Sequence, residues 1–493
     1  MRLPSLLKRI NPESDCRTDL EISGIFANSK EVKAGSLFVA VKGAKADGSE
    51  FIAEAVANGA VCVAAEDICL AVKYPEVEFV RVKDSRYALA VLADEFFNHP
   101  SEQIKAVGIT GTNGKTTITY LIRAILEQAG LSSGVIGTIN YSFKDKVLAA
   151  VNTTPGPLEL QYLLREMASC GCDYCLMEVS SHSLEQKRTA AIDFKAAIFT
   201  NLTQDHLDYH LNMENYFLAK AKLFSSLSQT AWAIVNIDSP YASRLKDLTR
   251  GKFIGYGIGS RAGLPACQTA VRARGLKLGI DGSEFDLEYE GHKTRIKTNL
   301  IGRHNIYNIL ASAAFAFSQN IKPEDIQAAL TKFSGVKGRL ERVKDVQDRF
   351  VFVDYAHTPD ALENVLAALK EFSSNRLTVV FGCGGERDRL KRPLMGRTAE
   401  KYADRIIITS DNPRGEEPGT IAGEITCGIK NKEYKVILDR KEAIAYALGN
   451  SLFGETILIA GKGHEDYQIF KDRKIYFDDV QAVRECVDCR GRL

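Results

Sequence analysis

The sequence has little of what marks export, membrane insertion or nucleic-acid binding. Nowhere does it hold an uninterrupted apolar run near the roughly 18 residues that a membrane-spanning helix needs. The first twenty residues carry no continuous apolar core, so no signal peptide is expected and the cytoplasm is the expected location. Charge of one sign is missing too: 64 lysines and arginines face 62 aspartates and glutamates, a formal net charge of +2. That leaves no global field to draw in nucleic acid. No nucleic acid and no membrane span are expected, and any anion must be bound locally. The 11 cysteines are an odd count spread along the chain, which argues for reduced thiols. Two pairs have C-x-x-C spacing, Cys172/Cys175 and Cys486/Cys489. They lie far apart, and the first runs straight into an apolar strand, so buried or incidental thiols are expected rather than a zinc site.

What is present is a soluble composition, 45% apolar and 26% charged, over 493 residues. That length exceeds one ordinary core and suggests about three domains. The most informative stretch is Gly111, Thr112, Asn113, Gly114, Lys115, Thr116, Thr117. It follows the apolar run from Ala106 to Ile109, which reads as a buried strand. It precedes Ile118, Leu121, Ile122, Ile125 and Ala129, which recur at helical spacing and stop at Gly130. Strand, glycine loop, Lys-Thr and helix is the context of a phosphate-binding loop. Backbone N–H groups face anionic oxygens, Lys115 adds a mobile charge, and the Thr116 hydroxyl is placed for Mg²⁺. ATP or GTP is the expected ligand. The strict motif wants glycine where Ile109 stands; without the flanking pattern, a glycine-rich structural turn would compete.

Alternating strand and helix patterns divide the chain into three α/β units with expected boundaries 1–100, 101–336 and 337–493. In the first, 37–41 and 61–65 read as strands around a helix near 51–58. In the second, 174–179 and 197–200 read as buried strands with Glu178 and Asn201 at their ends, where open α/β sheets bind ligands. Alternation through Phe285, Leu287 and Tyr289, with turns at 281–282 and 290–291, predicts antiparallel hairpins at its edge. In the third, apolar runs at 351–353, 377–381, 406–408, 436–438 and 457–459 predict a doubly wound, Rossmann-like parallel sheet. Thr358 as N-cap and Pro359 at the first position open a helix there.

Polar clusters sit after these strands. Glu178 and His206, the latter within the Asp- and His-rich stretch 200–210, are candidate Mg²⁺ ligands for phosphoryl chemistry. Lys220, judged by its own helix alone, reads as a solvated lysine. Three loops of the third unit share one sheet edge: Arg387 with its glycines, Asp411-Asn412-Pro413-Arg414, and Gly461 through Glu465. Arginines that fork onto carboxylates, with Glu465 free to accept from an ammonium, describe a pocket for a small zwitterion.

These residues closely resemble the ATP-dependent Mur ligases of peptidoglycan precursor synthesis, over essentially the whole chain. The resemblance rests on 111–117, Glu178 through His182, Asn201 with Asp205-His206, Gly302-Arg303-His304-Asn305, Gly338-Arg339 and Asp354-Tyr355-Ala356-His357. Within the family, the loop ending in Arg414 is similar to members that add meso-diaminopimelate to the D-glutamate of UDP-N-acetylmuramoyl-L-alanyl-D-glutamate; lysine-adding members lack that Arg. The resemblance implies an acyl phosphate made with ATP and Mg²⁺ and then attacked by the diaminopimelate amine. It implies catalytic roles for Lys115, Glu178, His206 and Lys220, with Lys220 carbamylated to a carboxylate-like metal ligand beside Thr116, Glu178 and His206. Asn305 and Arg339 match nucleotide contacts in addition to the loop. Ala27, Ser29, Ala44, Lys45 and Ala46 match the uridine-nucleotide site. Asn152, Thr153, Thr154, Ser180, Gln186 and Arg188 match contacts to the muramoyl dipeptide. Arg387, Asp411, Asn412, Pro413, Arg414, Gly461 and Glu465 match diaminopimelate contacts. A monomer is expected. Where the family often has Asp-Ser-Arg, this chain has Asn28-Ser29-Lys30. Competing expectations are the same ligation with L-lysine or another diamino acid, a folylpolyglutamate synthetase-like ligase, and a nucleotide-dependent binding protein.

Overall fold

Three α/β sheets follow one another along the chain. The structure is a computed structural model that describes residues 1–10, 19–43, 46–259, 270–346, 348–373 and 375–488. Ala44, Lys45 and Cys489 lie outside the described residues. The first sheet is parallel and in chain order: Gly24–Phe26, Ser36–Val39, Ala60–Ala65 and Glu78–Arg81. The helix expected near 51–58 is a short 3-10 turn, Gly48–Phe51, followed by Ile52–Ala57.

The middle sheet has eleven strands. The phosphate-loop strand Lys105–Thr110 lies at its heart, between Phe194–Phe199 and Tyr174–Glu178, and pairs parallel with both. Such strands are buried on both faces, which explains their near-continuous apolar sequences. The hairpins Ala270–Gly279, Gly282–Tyr289 and His292–Thr298 form one edge, as the alternation predicts. A second antiparallel edge, Ser133–Ile136, Asn140–Phe143 and Lys146–Ala149, was not expected. Its strands have four residues each; the first two are buried almost throughout and the outermost is wholly exposed, so no burial alternation marks it. The alanine-rich helix Arg303–Ser318 packs against the helix that follows the phosphate loop, Lys115–Gln128, within one apolar core.

The third sheet runs Glu341–Val343, Phe350–Asp354, Thr456–Ala460, Leu377–Phe381, Arg405–Ile408, Tyr434–Val436 and is parallel except at its first strand. Its last strand ends at Val436, not at 438. All three of its residues are exposed; of the apolar run that suggested 436–438, Val436 and Leu438 are exposed and Ile437 packs against the core. Among the described residues no helix is long and apolar enough to cross a membrane.

Candidate active site

The phosphate loop is held by backbone geometry that requires glycine. Gly111 has φ +145°, and a Cβ there would lie 1.8 Å from Thr200 Oγ1. Gly114 has φ +89° at the N-cap of Lys115–Gln128, and its Cβ would lie 2.5 Å from Asn308 Oδ1. The next strand end pins the loop. Thr112 N–H donates to the Asn201 carbonyl at 3.0 Å, Asn113 N–H donates to Asn201 Oδ1 at 2.9 Å, and the Thr200 hydroxyl donates to the Asn113 carbonyl at 2.6 Å. Lys115 folds back, its Nζ donating to the carbonyls of Gly111 and Thr112 at 3.0 and 2.8 Å. Burial lowers its pKa.

Glu178 ends its strand nearly fully buried. Its carboxylate accepts from the Thr116 hydroxyl at 3.0 Å and from both the amide and the hydroxyl of Thr138, each at 3.0 Å. Thr138 was not singled out from sequence: it lies in the edge segment whose strands were missed. Thr154 donates to the Glu178 carbonyl at 2.8 Å and meets Ser180. Arg188 donates to the Thr154 carbonyl at 2.7 Å and to Gln186 Oε1. Asn152 is exposed, with its carbonyl accepting from Tyr141 OH at 2.6 Å. The proposed dipeptide contacts Thr153, Thr154, Ser180, Gln186 and Arg188 therefore cluster beside Glu178.

Lys220 is not a solvated lysine. It is 2% exposed in the helix Met213–Ser225, its Nζ donating to the Gly111 carbonyl at 2.9 Å and lying 4.5 Å from the centre of the Tyr216 ring. It falls on the buried stripe of Tyr216, Phe217, Leu223 and Phe224; that spacing was the available signal. Burial, then the charge of Lys115, pushes its pKa well down. His206 is left-handed at φ 54° and touches Asp205 at 3.3 Å. Its place in the cleft lowers its pKa to about 4. His182 packs edge-on against it, ring centroids 4.8 Å apart.

A cavity of about 650 Å³ opens between the middle and third sheets. The phosphate loop, Glu178, His206 and Asn305 line one side; Arg339, Asp354, Tyr355, His357 and Asp360 line the other. Arg339 Nη2 donates to the Thr116 hydroxyl at 3.0 Å, its guanidinium stacked 4.8 Å from the Tyr355 ring. Its Nε is buried with no partner among the described residues. Burial raises the pKa of Asp354 to about 6, although it accepts from the amides of Leu340 and Ala356 at 2.6 and 2.7 Å.

The three loops of the third unit do converge. Arg440, fully buried against Asp479 at 2.7 Å, donates to the carbonyls of Ala460 and Ser410, the ends that launch two of them. Asn412 Nδ2 donates to Glu465 Oε2 at 2.8 Å. Lys462, missed in the sequence, is fully buried and donates to Asn412 Oδ1 and Glu465 Oε2 at 3.1 and 3.2 Å. Gly461 stands over Asp411, whose Oδ2 would lie 2.5 Å from a Cβ at that position. Arg414, left-handed at φ 53°, donates to the Gly385 carbonyl at 2.7 Å. Arg387 is exposed, and both it and Arg414 flank Gly384. Left-handed non-glycine residues at His206, Glu386 and Arg414 are the kind of backbone strain that gathers at functional sites.

The uridine-site candidates stand apart in the first unit. Ser29 is buried, its hydroxyl donating to Glu54 at 2.5 Å, while Ala27 and Ala46 are exposed. A separate cavity of about 360 Å³ nearby is lined by Lys42, Asp47 and Ser49.

Comparison with known proteins covers all three units. Family models match residues 21–97 (Mur ligase family, catalytic domain), 109–316 (Mur ligase middle domain) and 338–463 (Mur ligase, glutamate ligase domain). The chain is 44% identical to the UDP-N-acetylmuramoyl-L-alanyl-D-glutamate–2,6-diaminopimelate ligase of Syntrophomonas wolfei, covering 100% of both chains. It is 45% identical to the same-named ligase of Aquifex aeolicus over 95% of this chain and 94% of that one. A solved structure of a ligase with that name superposes with a TM-score of 0.70 at 31% identity, covering 100% of both chains. Matched end to end at this identity, the chain belongs to the Mur ligase family.

Proposed function

We propose that the chain is an ATP-dependent ligase that joins meso-diaminopimelate to the D-glutamyl carboxylate of UDP-N-acetylmuramoyl-L-alanyl-D-glutamate, releasing ADP and phosphate. The observation that carries this reading is the single cavity that sets a phosphate loop on one wall against acceptor-side residues on the other. A carboxylate held between them can take the γ-phosphoryl group and then meet an amine. We assign 1–100 to the nucleotide-sugar substrate, 101–336 to ATP and 337–493 to the amino acid.

The residues present fit ATP and Mg²⁺. Arg339 Nε is a buried donor awaiting an anion, and Thr116 with Glu178 offers oxygen donors that suit a hard cation. Among the described residues no group of three His, Cys, Asp or Glu forms a ready cation cage. Mg²⁺ takes much of its shell from phosphates and water. Thr116, Glu178, His206 and a carbamate on Lys220 would hold it, and bound there it would neutralise phosphate charge.

In this reading Lys115 leaves the loop carbonyls for the transferring phosphoryl oxygens, and the loop amides align the triphosphate. Thr154, Ser180 and Arg188 orient the dipeptide beside Glu178. The acyl phosphate forms when the carboxylate oxygen attacks the γ-phosphorus and ADP leaves. The diaminopimelate amine then attacks the acyl carbon, loses a proton, and expels phosphate. Positioning and charge neutralisation supply the catalysis. Arg414 and Arg387 would grip the carboxylate that distinguishes diaminopimelate from lysine, with Glu465 and Asp411 accepting from its ammonium. We take a monomer as the working unit. ATP and a nucleotide sugar are cytoplasmic metabolites, which supports that location.

The test is ADP release with the UDP-muramoyl dipeptide and either meso-diaminopimelate or L-lysine. Diaminopimelate is expected to be strongly preferred. Equal turnover with lysine would sink the acceptor assignment, and no amide product with any amine would sink the ligase reading.

A further inference from the structure

We propose that Asp360 is a positioning residue that latches the third unit onto the phosphate loop; this rests on the ligase reading above. Asp360 sits in the first turn of the helix Pro359–Phe372, whose N-cap hydroxyl, on Thr358, accepts from the Ala361 amide. Its carboxylate reaches across the cavity. Oδ2 accepts from Asn113 Nδ2 at 2.6 Å and from Thr203 Oγ1 at 2.8 Å, both in the middle unit. Asn364 Nδ2, one turn along its own helix, adds a third donor at 3.2 Å.

Both distant partners belong to the network that shapes the phosphate loop. The backbone of Asn113 is fixed by Thr200 and Asn201, which leaves its side-chain amide to the partner across the cavity. Thr203 N–H donates to the Thr112 hydroxyl at 3.1 Å, and that hydroxyl donates on to the Thr203 carbonyl at 3.2 Å. One carboxylate oxygen therefore holds two adjoining loops of a different unit, the phosphate loop through Asn113 and the loop after Phe194–Phe199 through Thr203. Such charge-assisted bonds are roughly twice as strong as neutral ones. Arg339, which also crosses the cavity, contacts Thr116, where nucleotide phosphates and a cation would compete for it; away from the cavity Arg342 pairs with Asp281 at 2.6 Å. Asp360 is an anion and cannot serve as a phosphate ligand. It acts through Asn113 and Thr203, keeping the units together when the Arg339 contact is given up to substrate.

Cys170 and Cys427 are exposed cysteines of the middle and third units. Spin labels on this pair, with other accessible cysteines replaced by serine, report the distance between units in the full-length protein with Mg²⁺ and a non-hydrolysable ATP analogue. The parent protein should give a narrow closed distribution. Asp360→Ala should broaden it toward longer distances, with Asp360→Asn, which keeps an oxygen acceptor, in between. In turnover, Asp360→Ala should lower kcat by roughly 10- to 100-fold while KM for ATP stays within a few-fold. The Asn113→Ala/Asp360→Ala double variant should be no worse than the worse single one. Unchanged distances, losses that simply add, or a KM for ATP that rises as much as kcat falls would each overturn the latch. If the Ala variant does not fold, the Asn variant decides: unshifted distances refute the proposal. The distances need no amine acceptor, so failed ligation with shifted distances would refute the ligase reading and leave the latch standing.

Discussion

Arg339 of the third unit donates through Nη2 to the Thr116 hydroxyl at 3.0 Å, and the same hydroxyl donates to Glu178 at 3.0 Å. A guanidinium thus stands at the oxygen pair proposed to meet a cation and a phosphate. Arg339→Ala should lower kcat/KM for ATP roughly 10- to 100-fold, the range for hydrogen bonds to charged groups. Arg339→Lys should recover only part of this, because an ammonium cannot reproduce the planar fork. Steady-state kinetics at varied ATP checks both; parent-like values in the Ala variant would remove Arg339 from the nucleotide site.

Lys220 is buried 2.9 Å from the Gly111 carbonyl, with its pKa driven well down by desolvation. A neutral amine adds CO₂ and releases a proton to give a carbamate. Isotope-labelled bicarbonate should therefore produce a carbamate carbon signal in the parent protein and none in Lys220→Ala. That variant should lose turnover, and short carboxylates should restore part of it. Full activity in the variant would refute the role.

Arg414 is held in a left-handed turn with its guanidinium on the Gly385 carbonyl, next to Arg387 across Gly384. Arg414→Ala should cut kcat/KM for meso-diaminopimelate by about 10- to 100-fold and leave the weak use of L-lysine nearly unchanged. Parallel loss with both amines would mean that Arg414 shapes the loop and does not read the extra carboxylate.

Asp354 predicts a pH signature in stability. Its folded pKa is about 6 against an ordinary 3.8. For a carboxyl whose pKa is raised on folding, the folded state binds the proton more tightly. Its contribution is therefore neutral below the unfolded value and becomes a cost as pH climbs to the folded one. The full cost is about 3 kcal/mol at roughly 1.4 kcal/mol per pKa unit. Measured by urea unfolding, the stability of Asp354→Asn relative to the parent should rise between pH 4 and 6 and then level off. A flat difference across that window would show that Asp354 stays ionised at little cost.

Some of this was legible because it is local in sequence. A strand, glycine loop, Lys-Thr and helix are contiguous, so their periodicity and turn chemistry mark the phosphate loop without reference to the rest of the chain. Glu178 and Asn201 were findable for the same reason, since strand ends in an α/β pattern are where polar residues face ligands. The hairpins at 270–298 declared themselves by alternation. The edge strands at 133–149 did not: each has four residues, two are buried almost throughout and the outermost is wholly exposed, so none carries an alternation long enough to read; the last strand of the third sheet was read two residues late, at 436–438 rather than 434–436.

The sequence by itself determined a nucleotide-binding α/β chain in three units, the motif that meets phosphate, and the Asn-Pro-Arg loop that suggests the amine. Only the tertiary structure decided which distant residues share a cavity. Lys220 became a buried amine because its helix turns that face inward against the Gly111 carbonyl. Thr138, Lys462 and Asp360 became site residues because sheet order and closure of the units carry them to Glu178, Asn412 and Asn113. Local propensity sets which elements form; which side chains meet is fixed by packing between elements far apart in the chain, and no local pattern encodes it.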